Sequence, residues 1–233
     1  MNDNFNPLKQ HVFLINWLTL IFILVVAMII IGGITRITDS GLSMVEWRPI
    51  LGFLPPLNHQ EWERVFDLYK NTPEYTYYNK GMLLSDFKFI FFWEYFHRLW
   101  GRIIGIVFIL PFIYLIVTKK IDKFITKRLL IILFFGSLQA FIGWWMVKSG
   151  LIDKPDVSQY RLAIHFGNSL LILFLLFWLI LDLKNKKSRI KFDLNLIIFF
   201  VIFVTIIAGS LVAGMDAGLM YNTYPLMNDS FFP

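Results

Sequence analysis

The residues best suited to chemistry in this sequence are one glutamate, two histidines and two arginines within long apolar stretches. Glu94 and His97 are three residues apart, so a helix places both on one side. His165 lies in a second apolar stretch, and Arg98 and Arg102 follow the first histidine at a spacing of four residues. Ionisable residues inside membrane spans are costly and usually functional. Two histidines on facing helices could hold one metal ion or one flat cofactor between them.

Three kinds of metal site use residues of these types. A di-iron bundle needs Glu from several helices and a second Glu-x-x-His pair, whereas no other Asp or Glu falls within a span here. Zinc normally takes three protein ligands, and Glu94 with the two histidines is a second-best set. Haem iron fits better, because imidazole is a common axial ligand. Gly101 and Gly105 would leave space for a porphyrin face, and Arg98 and Arg102 could pair with its propionates.

Each of these features also has a purely structural interpretation. An intramembrane histidine often serves only as a hydrogen-bonded packing residue. Gly101 and Gly105 form a spacing that is more often a notch for helix packing than a cofactor seat. The two arginines could extend their charged ends toward the membrane surface. In the third span, we interpret Gly143 as a packing residue and Gln139 as a polar tie between helices.

The composition indicates an integral membrane protein. Of 233 residues, 57% are hydrophobic and only 16% are charged, whereas about a quarter of a soluble domain is charged. Disordered, collagen-like and coiled-coil classes are excluded on the same ground. The chain contains no Cys, so it has no disulfide, thiolate metal site or thiol nucleophile.

Five segments are long and apolar enough to cross a bilayer, which takes about 20 residues. They cover residues of about 17–34, 89–118, 129–147, 161–181 and 194–213. Ten of the 22 basic residues lie in two short loops, namely Lys119, Lys120, Lys123, Lys127, Arg128, Lys184, Lys186, Lys187, Arg189 and Lys191. The positive-inside rule makes these loops cytoplasmic or matrix-side, which predicts an inner N-terminus and an outer C-terminus. This distribution explains the net charge of +6 better than nucleic-acid binding does.

The long outer loop, residues 36–88, contains a predicted helix of its own. Asn58 and Glu61 have the spacing of a capping box. An apolar helical face follows, made of Trp62, Val65, Phe66 and Tyr69. This helix could lie on the membrane surface, cover the bundle, or pack on its own loop, and the pattern leaves all three open.

The sequence repeats itself at an offset of 177 residues. The matched pairs are Gly32 and Gly209, Asp39 and Asp216, Gly41 and Gly218, Trp47 and Tyr224, and Pro56 and Pro233. The pattern predicts an all-α membrane fold in which residues 1–190 form a four-helix bundle. Residues 191–233 would then be the first helix and outer loop of a second, truncated repeat. A true five-span protein is the alternative.

The two most distinctive stretches are GGITRITDSGLSMVEWRP at residues 32–49 and FFWEYFHRLWGR at residues 91–102. Both closely resemble the haem A synthase family, in its cysteine-free alphaproteobacterial and mitochondrial branch. The segment QAFIGWWMVKSGL at residues 139–151, together with His165 and the tail from Met215 to Gly218, resembles the family in the same way.

The resemblance implies an oxidoreductase acting on a CH or CH2 group, which oxidises the C8 methyl of haem O to a formyl group. The product, haem A, serves cytochrome c oxidase, and haem O would come from haem O synthase. His97 and His165 match the axial ligands of the substrate haem, and Glu94 matches a position linked to catalysis. The family has eight spans in two similar bundles. A haem b cofactor is expected in the second bundle, whose histidine pair has no counterpart in this sequence.

The resemblance also implies a setting and partners. The expected location is the bacterial inner membrane, or the mitochondrial inner membrane in a eukaryote. The bilayer and an electron-transfer protein are the expected partners, with no nucleic acid, and a homo-oligomer stays open. Two other functions also stay open. One is a haem b electron-transfer protein with two histidine ligands, and the other is an assembly scaffold without a cofactor in which His97 and His165 only tie helices together.

Overall fold

The computed structural model describes residues 7–47, 51–152, 155–185, 194–220, 223 and 225–231. Within these residues the fold is all-α, apart from one isolated bridge between Met227 and Ser230. The helices are α1 (Pro7–Ile37), α2 (His59–Lys70), α3 (Pro73–Tyr77), α4 (Leu84–Val117), α5 (Lys123–Gly150), α6 (Gln159–Asn185), α7 (Leu194–Gly214) and α8 (Ala217–Met220), with a short 3-10 turn at Leu51–Phe53. The predicted fold class is confirmed.

The described chain has five helices long and apolar enough to cross a membrane, as predicted. They are Gln10–Ile37, Leu84–Val117, Lys123–Gly150, Gln159–Lys184 and Leu194–Gly214. The chain is thus a multi-pass membrane protein. Most of these helices extend beyond the predicted spans, because helical hydrogen bonding continues through polar residues after the apolar stretch has ended. The second span, for example, begins at Leu84 rather than near residue 89.

The first four long helices form a bundle that is open on one side. α1 packs against both α4 and α6, and α5 packs against α6, whereas α4 and α5 touch only lightly. α7 packs on the outside of α6. Two indole N–H groups join α1 to α4: Trp17 Nε1 donates to the Val107 carbonyl at 2.9 Å, and Trp100 Nε1 donates to the Leu24 carbonyl at 3.0 Å.

The larger of two apolar clusters fills one end of this bundle. Its most buried residues include Leu18, Ile21, Phe112, Leu115, Leu129 and Leu176. Those on α4 and α6 come from the C-terminal halves of the helices, far from Glu94 and His165. The polar residues that the sequence singles out lie toward the opposite end, where a smaller, mainly aromatic cluster packs against the start of α4.

α2 covers the N-terminal part of α4. Asn58 caps α2 by accepting a hydrogen bond from the Glu61 N–H at 2.9 Å, which confirms the predicted helix start. Phe66 and Tyr69, on the predicted apolar face, pack against the Phe87 ring with centroids 4.8 and 5.2 Å apart. Both rings also contact Tyr75 of α3, so the helix packs on the start of α4 and on its own loop.

The ends of α1 and α7 are alike. α1 ends at Ile37 and α7 at Gly214, which correspond at the repeat offset. Asp39 and Asp216 then have φ values of 48° and 50°, a left-handed conformation that is uncommon for residues other than glycine. This likeness supports the repeat, while the division into bundles at residue 190 stays a prediction. The predicted features at Arg48, Pro49, Lys186, Lys187, Arg189, Lys191, Tyr224 and Pro233 lie outside the described residues.

Candidate functional site

His97 lies in α4 against a glycine of α1. A Cβ atom added to Gly32 would lie 3.3 Å from Nε2 of the imidazole, closer than ordinary van der Waals contact. Glycine at this position therefore provides the space in which the ring sits. In the sequence, Gly32 stands out only as part of the repeat. The signal for its role beside His97 was a glycine in one apolar span and a histidine in another.

His165 lies in α6 against a glycine of α5. A Cβ atom on Gly143 would lie 2.9 Å from Cε1 of the ring, a distance that real Cβ atoms essentially never show. Gly143 is a packing residue, as the sequence suggested, but the side chain that it packs against is the histidine. In both cases the imidazole ring therefore lies against a glycine of the neighbouring helix.

Two amide side chains, those of Gln139 and Asn168, form a series of hydrogen bonds that ends at His165. Gln139 Nε2 donates to the His165 carbonyl at 3.1 Å and lies 3.3 Å from Nε2 of the ring. Gln139 Oε1 accepts a hydrogen bond from Asn168 Nδ2 at 2.6 Å, and that nitrogen also donates to the Phe135 carbonyl at 3.0 Å. The predicted role of Gln139 as a polar tie between helices is confirmed by these contacts. Sequence reasoning missed Asn168, a 9% exposed amide in the middle of an apolar helix.

Glu94 is bound by the loop that follows α1 and is only 3% exposed. Its Oε2 accepts hydrogen bonds from Ser43 Oγ and from the Met44 backbone N–H, both at 2.7 Å. Its Oε1 forms an ion pair with Arg98. The carboxylate is thus surrounded by donors, although the sequence places it in an apolar stretch. Sequence reasoning did not single out Ser43, because a contact across 51 residues has no periodic signal.

Glu94 and His97 come from one helix but contact different elements. The Glu94 carboxylate meets the loop after α1, whereas the His97 ring meets Gly32 within α1. The zinc set of Glu94 with both histidines is therefore not assembled. Within the described ranges, no group of three or more His, Cys, Asp or Glu side chains could hold a metal ion.

Arg98 and Arg102 face the outer loop. Arg98 donates to the carbonyls of Met44 at 3.0 Å and Glu46 at 3.3 Å. The Arg102 guanidinium lies 5.4 Å from the centroid of the Phe53 ring. Both arginines line a cavity of about 290 Å³ under the loop. Other residues around this cavity are Arg64, Glu61, Leu54 and Leu57. Their predicted pairing with propionates stays a prediction.

Residues 15–233 match the family described as "Cytochrome oxidase assembly protein". The chain belongs to this family.

Among the relatives of this chain are three named "Heme A synthase". That of Nitrosospira multiformis is 46% identical over 225 residues, which are 93% of this chain and 63% of the relative. That of Parvibaculum lavamentivorans is 46% identical over 221 residues, 93% of this chain and 64% of the relative. That of Rickettsia bellii is 47% identical over 228 residues, 94% of this chain and 68% of the relative. The chain thus spans about two thirds of the length of these relatives. No solved structure matches it.

One further buried acid lies in the outer loop. Glu74, at the start of α3, is 6% exposed, and burial raises its pKa to about 8. A hydrogen bond with the Tyr69 hydroxyl opposes part of this rise, whereas Glu94 and Asp39 add to it through charge repulsion. Burial also raises the pKa of Tyr69. Sequence reasoning missed Glu74, because a single acid in a five-residue helix carries no periodic pattern.

Proposed function

We propose that this protein is a haem A synthase, which binds haem O as its substrate and oxidises the C8 methyl group to a formyl group. His97 and His165 are the axial ligands of the substrate iron in this proposal. The observation that carries it is the pair of histidines, each resting on a glycine of a neighbouring helix. The names of the three relatives support the same assignment.

The two histidines also lie at matched depth. His97 precedes the C-terminal end of α4 at Val117 by 20 residues, and His165 precedes the end of α6 at Asn185 by 20 residues. Both helices run in the same direction, so each ring lies about 30 Å from the same side of the bundle. A flat ligand held by both rings would therefore need no tilt of either helix.

The surroundings of the histidines suit the iron of a haem better than a structural hydrogen-bond role. Nδ1 of His165 is buried and has no hydrogen-bond partner in the described structure. A histidine that only tied helices together would normally have both of its ring nitrogens satisfied. Gly32 and Gly143 provide space for the rings, which a larger residue would fill.

Glu94 is the residue proposed to handle protons. Conversion of a methyl to a formyl group with water as the source of oxygen releases four protons and four electrons. General acid–base groups typically contribute about 10²- to 10⁴-fold to a rate. The 2.7 Å hydrogen bond from Ser43 Oγ gives Oε2 of Glu94 a neighbour that can both donate and accept a proton. Arg98 and the Met44 N–H hold the carboxylate in one orientation while this exchange takes place.

The orientation of the chain in the membrane and its electron-transfer partners are part of the same proposal. The chain would lie in a bacterial inner membrane with the basic ends of α4 and α5, at Lys119, Lys120 and Lys123, on the cytoplasmic side. The histidines would then lie in the outer leaflet. A haem b in the family's second bundle and an electron-transfer partner would remove the electrons of the oxidation.

The experiment is extraction and chromatography of the haem bound to this chain, expressed in membranes that make haem O. The proposal predicts haem A in the extract, and loss of bound haem in His97→Ala and His165→Ala. The exposed His59, which lies outside the spans, gives the matched control His59→Ala. Haem O or haem B alone would contradict catalysis by this chain and favour the electron-transfer alternative. An extract without haem would contradict both and favour a scaffold.

A further inference from the structure

Arg161 lies one helical turn before His165 on the same face of α6. Nη1 of Arg161 donates to the Trp145 carbonyl at 2.7 Å, and the His165 ring lies against Gly143. Both of these neighbours belong to α5, so the guanidinium and the imidazole turn toward the same helix. Four residues are about 6 Å along a helix axis, so Arg161 lies nearer than the histidine to the N-terminal end of α6.

The Arg161 guanidinium is held from one face and through one nitrogen. Its carbon lies 4.4 Å from the centroid of the Trp145 ring, a cation–π contact. Within the part of the chain that the structure describes, Nε and Nη2 have no hydrogen-bond partner and no acid pairs with the side chain. These two nitrogens form one edge of the guanidinium. An edge of this kind matches the two oxygens of a carboxylate.

The two arginines of α4 are placed differently. Arg98 and Arg102 lie about 100° and 140° around α4 from His97, because each residue turns a helix by about 100°. Arg161 lies only about 40° around α6 from His165. Arg98 is also bound to a carboxylate of its own helix and to two carbonyls of the outer loop. Of these three arginines, Arg161 therefore lies closest in angle to a histidine of the pair.

We propose that Arg161 binds a propionate carboxylate of the substrate haem, and that this contact sets which edge of the porphyrin faces the outer end of the bundle. The proposal rests on the proposed ligation of the haem iron by His97 and His165. A flat ligand held only through its iron can still turn about the axis that joins the two histidines. A charged contact at the edge of the porphyrin removes this freedom.

This orientation brings the reacting methyl group to the end of the site where Glu94 lies. In haem O the C8 methyl and one propionate are carried by the same pyrrole ring, so the edge that Arg161 holds also carries this methyl. Glu94 lies three residues before His97, about 4.5 Å nearer to the N-terminal end of α4. Since α4 and α6 run in the same direction, Glu94 and Arg161 are displaced toward the same end. Arg161 thereby favours methyl groups on this edge over those on the opposite edge.

The test is a comparison of binding that involves no conversion. Haem B and its dimethyl ester, in which both carboxylates are neutral, are titrated into the haem-free chain in detergent, and the Soret band gives each dissociation constant. We expect the ester to bind the unaltered chain about 10- to 100-fold more weakly than haem B, the range for a lost hydrogen bond to a charged group. Equal binding of the two forms would overturn the proposal.

Arg161→Gln separates a carboxylate contact from a structural role. Glutamine keeps an N–H donor for the Trp145 carbonyl but has no charge, so haem B should bind as weakly as the ester does. If Arg161 served only to join α5 and α6, the variant would weaken both forms by the same factor. The preference for the free acid would then persist, and the proposal would be wrong.

The matched control is Lys148→Gln at the same end of the bundle. Lys148 is an exposed cation, with Nζ 5.2 Å from the centroid of the Trp144 ring. Its removal lowers the net charge by the same amount as Arg161→Gln but should leave the full preference for the free acid. If the preference vanished here too, it would come from overall charge rather than from Arg161, contrary to the proposal.

Arg161→Lys decides the question if Arg161→Gln binds neither form. Lysine keeps the charge but loses the paired donors on one edge, so the preference for the free acid should shrink. An undiminished preference would overturn the proposal. An unaltered chain that binds neither form would overturn it together with the proposed haem ligation. A chain that prefers the free acid but makes no haem A would keep the propionate contact and lose the proposed synthase activity, so the two failures are distinct.

Discussion

Arg36 at the end of α1 forms an ion pair with Asp216 just beyond the end of α7, with Nη2 2.5 Å from Oδ1. The same nitrogen donates to the carbonyl of Ala213 at 2.9 Å, the residue that matches Arg36 in the repeat. Nη1 of Arg36 also lies 3.4 Å from Oδ1 of Asp39, the counterpart of Asp216. One guanidinium therefore joins the two equivalent helix ends.

Loss of this ion pair should weaken the contact of α7 with the bundle only slightly. The side chains of Arg36 and Asp216 are 30% and 53% exposed, and partly exposed pairs contribute about 0–1 kcal/mol. Arg36→Gln should lower the thermal unfolding temperature in detergent by a small amount that disappears at high salt. Lys70→Gln, which breaks the exposed pair with Asp67, is the matched control. A large drop that persists at high salt would show that Arg36 acts through something other than charge.

Replacement of Glu94 should separate binding from conversion. Glu94→Gln keeps the shape of the side chain, so we expect haem binding to persist while conversion of haem O to haem A falls by about 10²- to 10⁴-fold. The ratio of haem A to haem O in the extract measures this. The exposed Glu63 of α2 supplies the control Glu63→Gln, which should convert normally. Retained conversion in Glu94→Gln would remove the proton-handling role.

Ser43→Ala should reduce conversion less than Glu94→Gln does. It removes one of the hydrogen bonds to the carboxylate but leaves Arg98 and the Met44 N–H in place. We expect the ratio of haem A to haem O in the extract to fall, because the hydroxyl contacts the atom that exchanges the proton. Ser43→Thr, which keeps the hydroxyl, should restore this ratio. An unchanged ratio in Ser43→Ala would mean that the serine only supports the loop.

Gly143→Ala should displace the His165 ring. The added Cβ would lie 2.9 Å from Cε1 of the ring, so the imidazole must move or the helices must separate. We expect an altered Soret band in the haem-loaded protein. Gly136→Ala, in the same helix with no atom within 4 Å of its added Cβ, is the control. It should leave the spectrum unchanged and stabilise the helix by about 0.5–1 kcal/mol. Identical spectra for the two variants would contradict the conclusion that Gly143 leaves space for the His165 ring.

The outer loop should lose stability as the pH rises. The pKa of Glu74 is raised from its ordinary value of 4.5 to about 8 in the folded chain, so folding favours the protonated form. Its contribution to stability is full below pH 4.5 and is lost as the pH rises through 8. Hydrogen exchange of α2 and α3 should therefore accelerate across this range, once corrected for intrinsic exchange.

The matched variant for this effect is Glu74→Gln, which cannot ionise. Its hydrogen exchange in α2 and α3 should be nearly independent of pH over the same interval, after the same correction. If the variant keeps the pH dependence of the unaltered chain, another group is responsible. Asp39 is then the next residue to replace, because burial raises its pKa as well.

The sequence by itself determined the features that depend on composition along one helix or one short segment. A sufficiently long run of apolar residues is stable in a bilayer regardless of which helix it packs against. Five spans therefore follow from segment length and hydropathy alone. Asn58 caps α2 through a contact three residues away, and such local contacts have a sequence signature. The position of His97 and His165 at one level likewise followed from counting residues along two helices.

Only the tertiary structure decided which partners these residues meet. Ser43 reaches Glu94 across 51 residues of sequence, and Asn168 reaches Gln139 across 29. Such contacts depend on how each helix is rotated about its axis, and a uniformly apolar helix gives little indication of that rotation. The rotation of α5 also brings Gly143, one of several small residues in that helix, against the His165 ring. The rotation of α4 directs Glu94 toward the loop, although the spacing alone placed it beside His97.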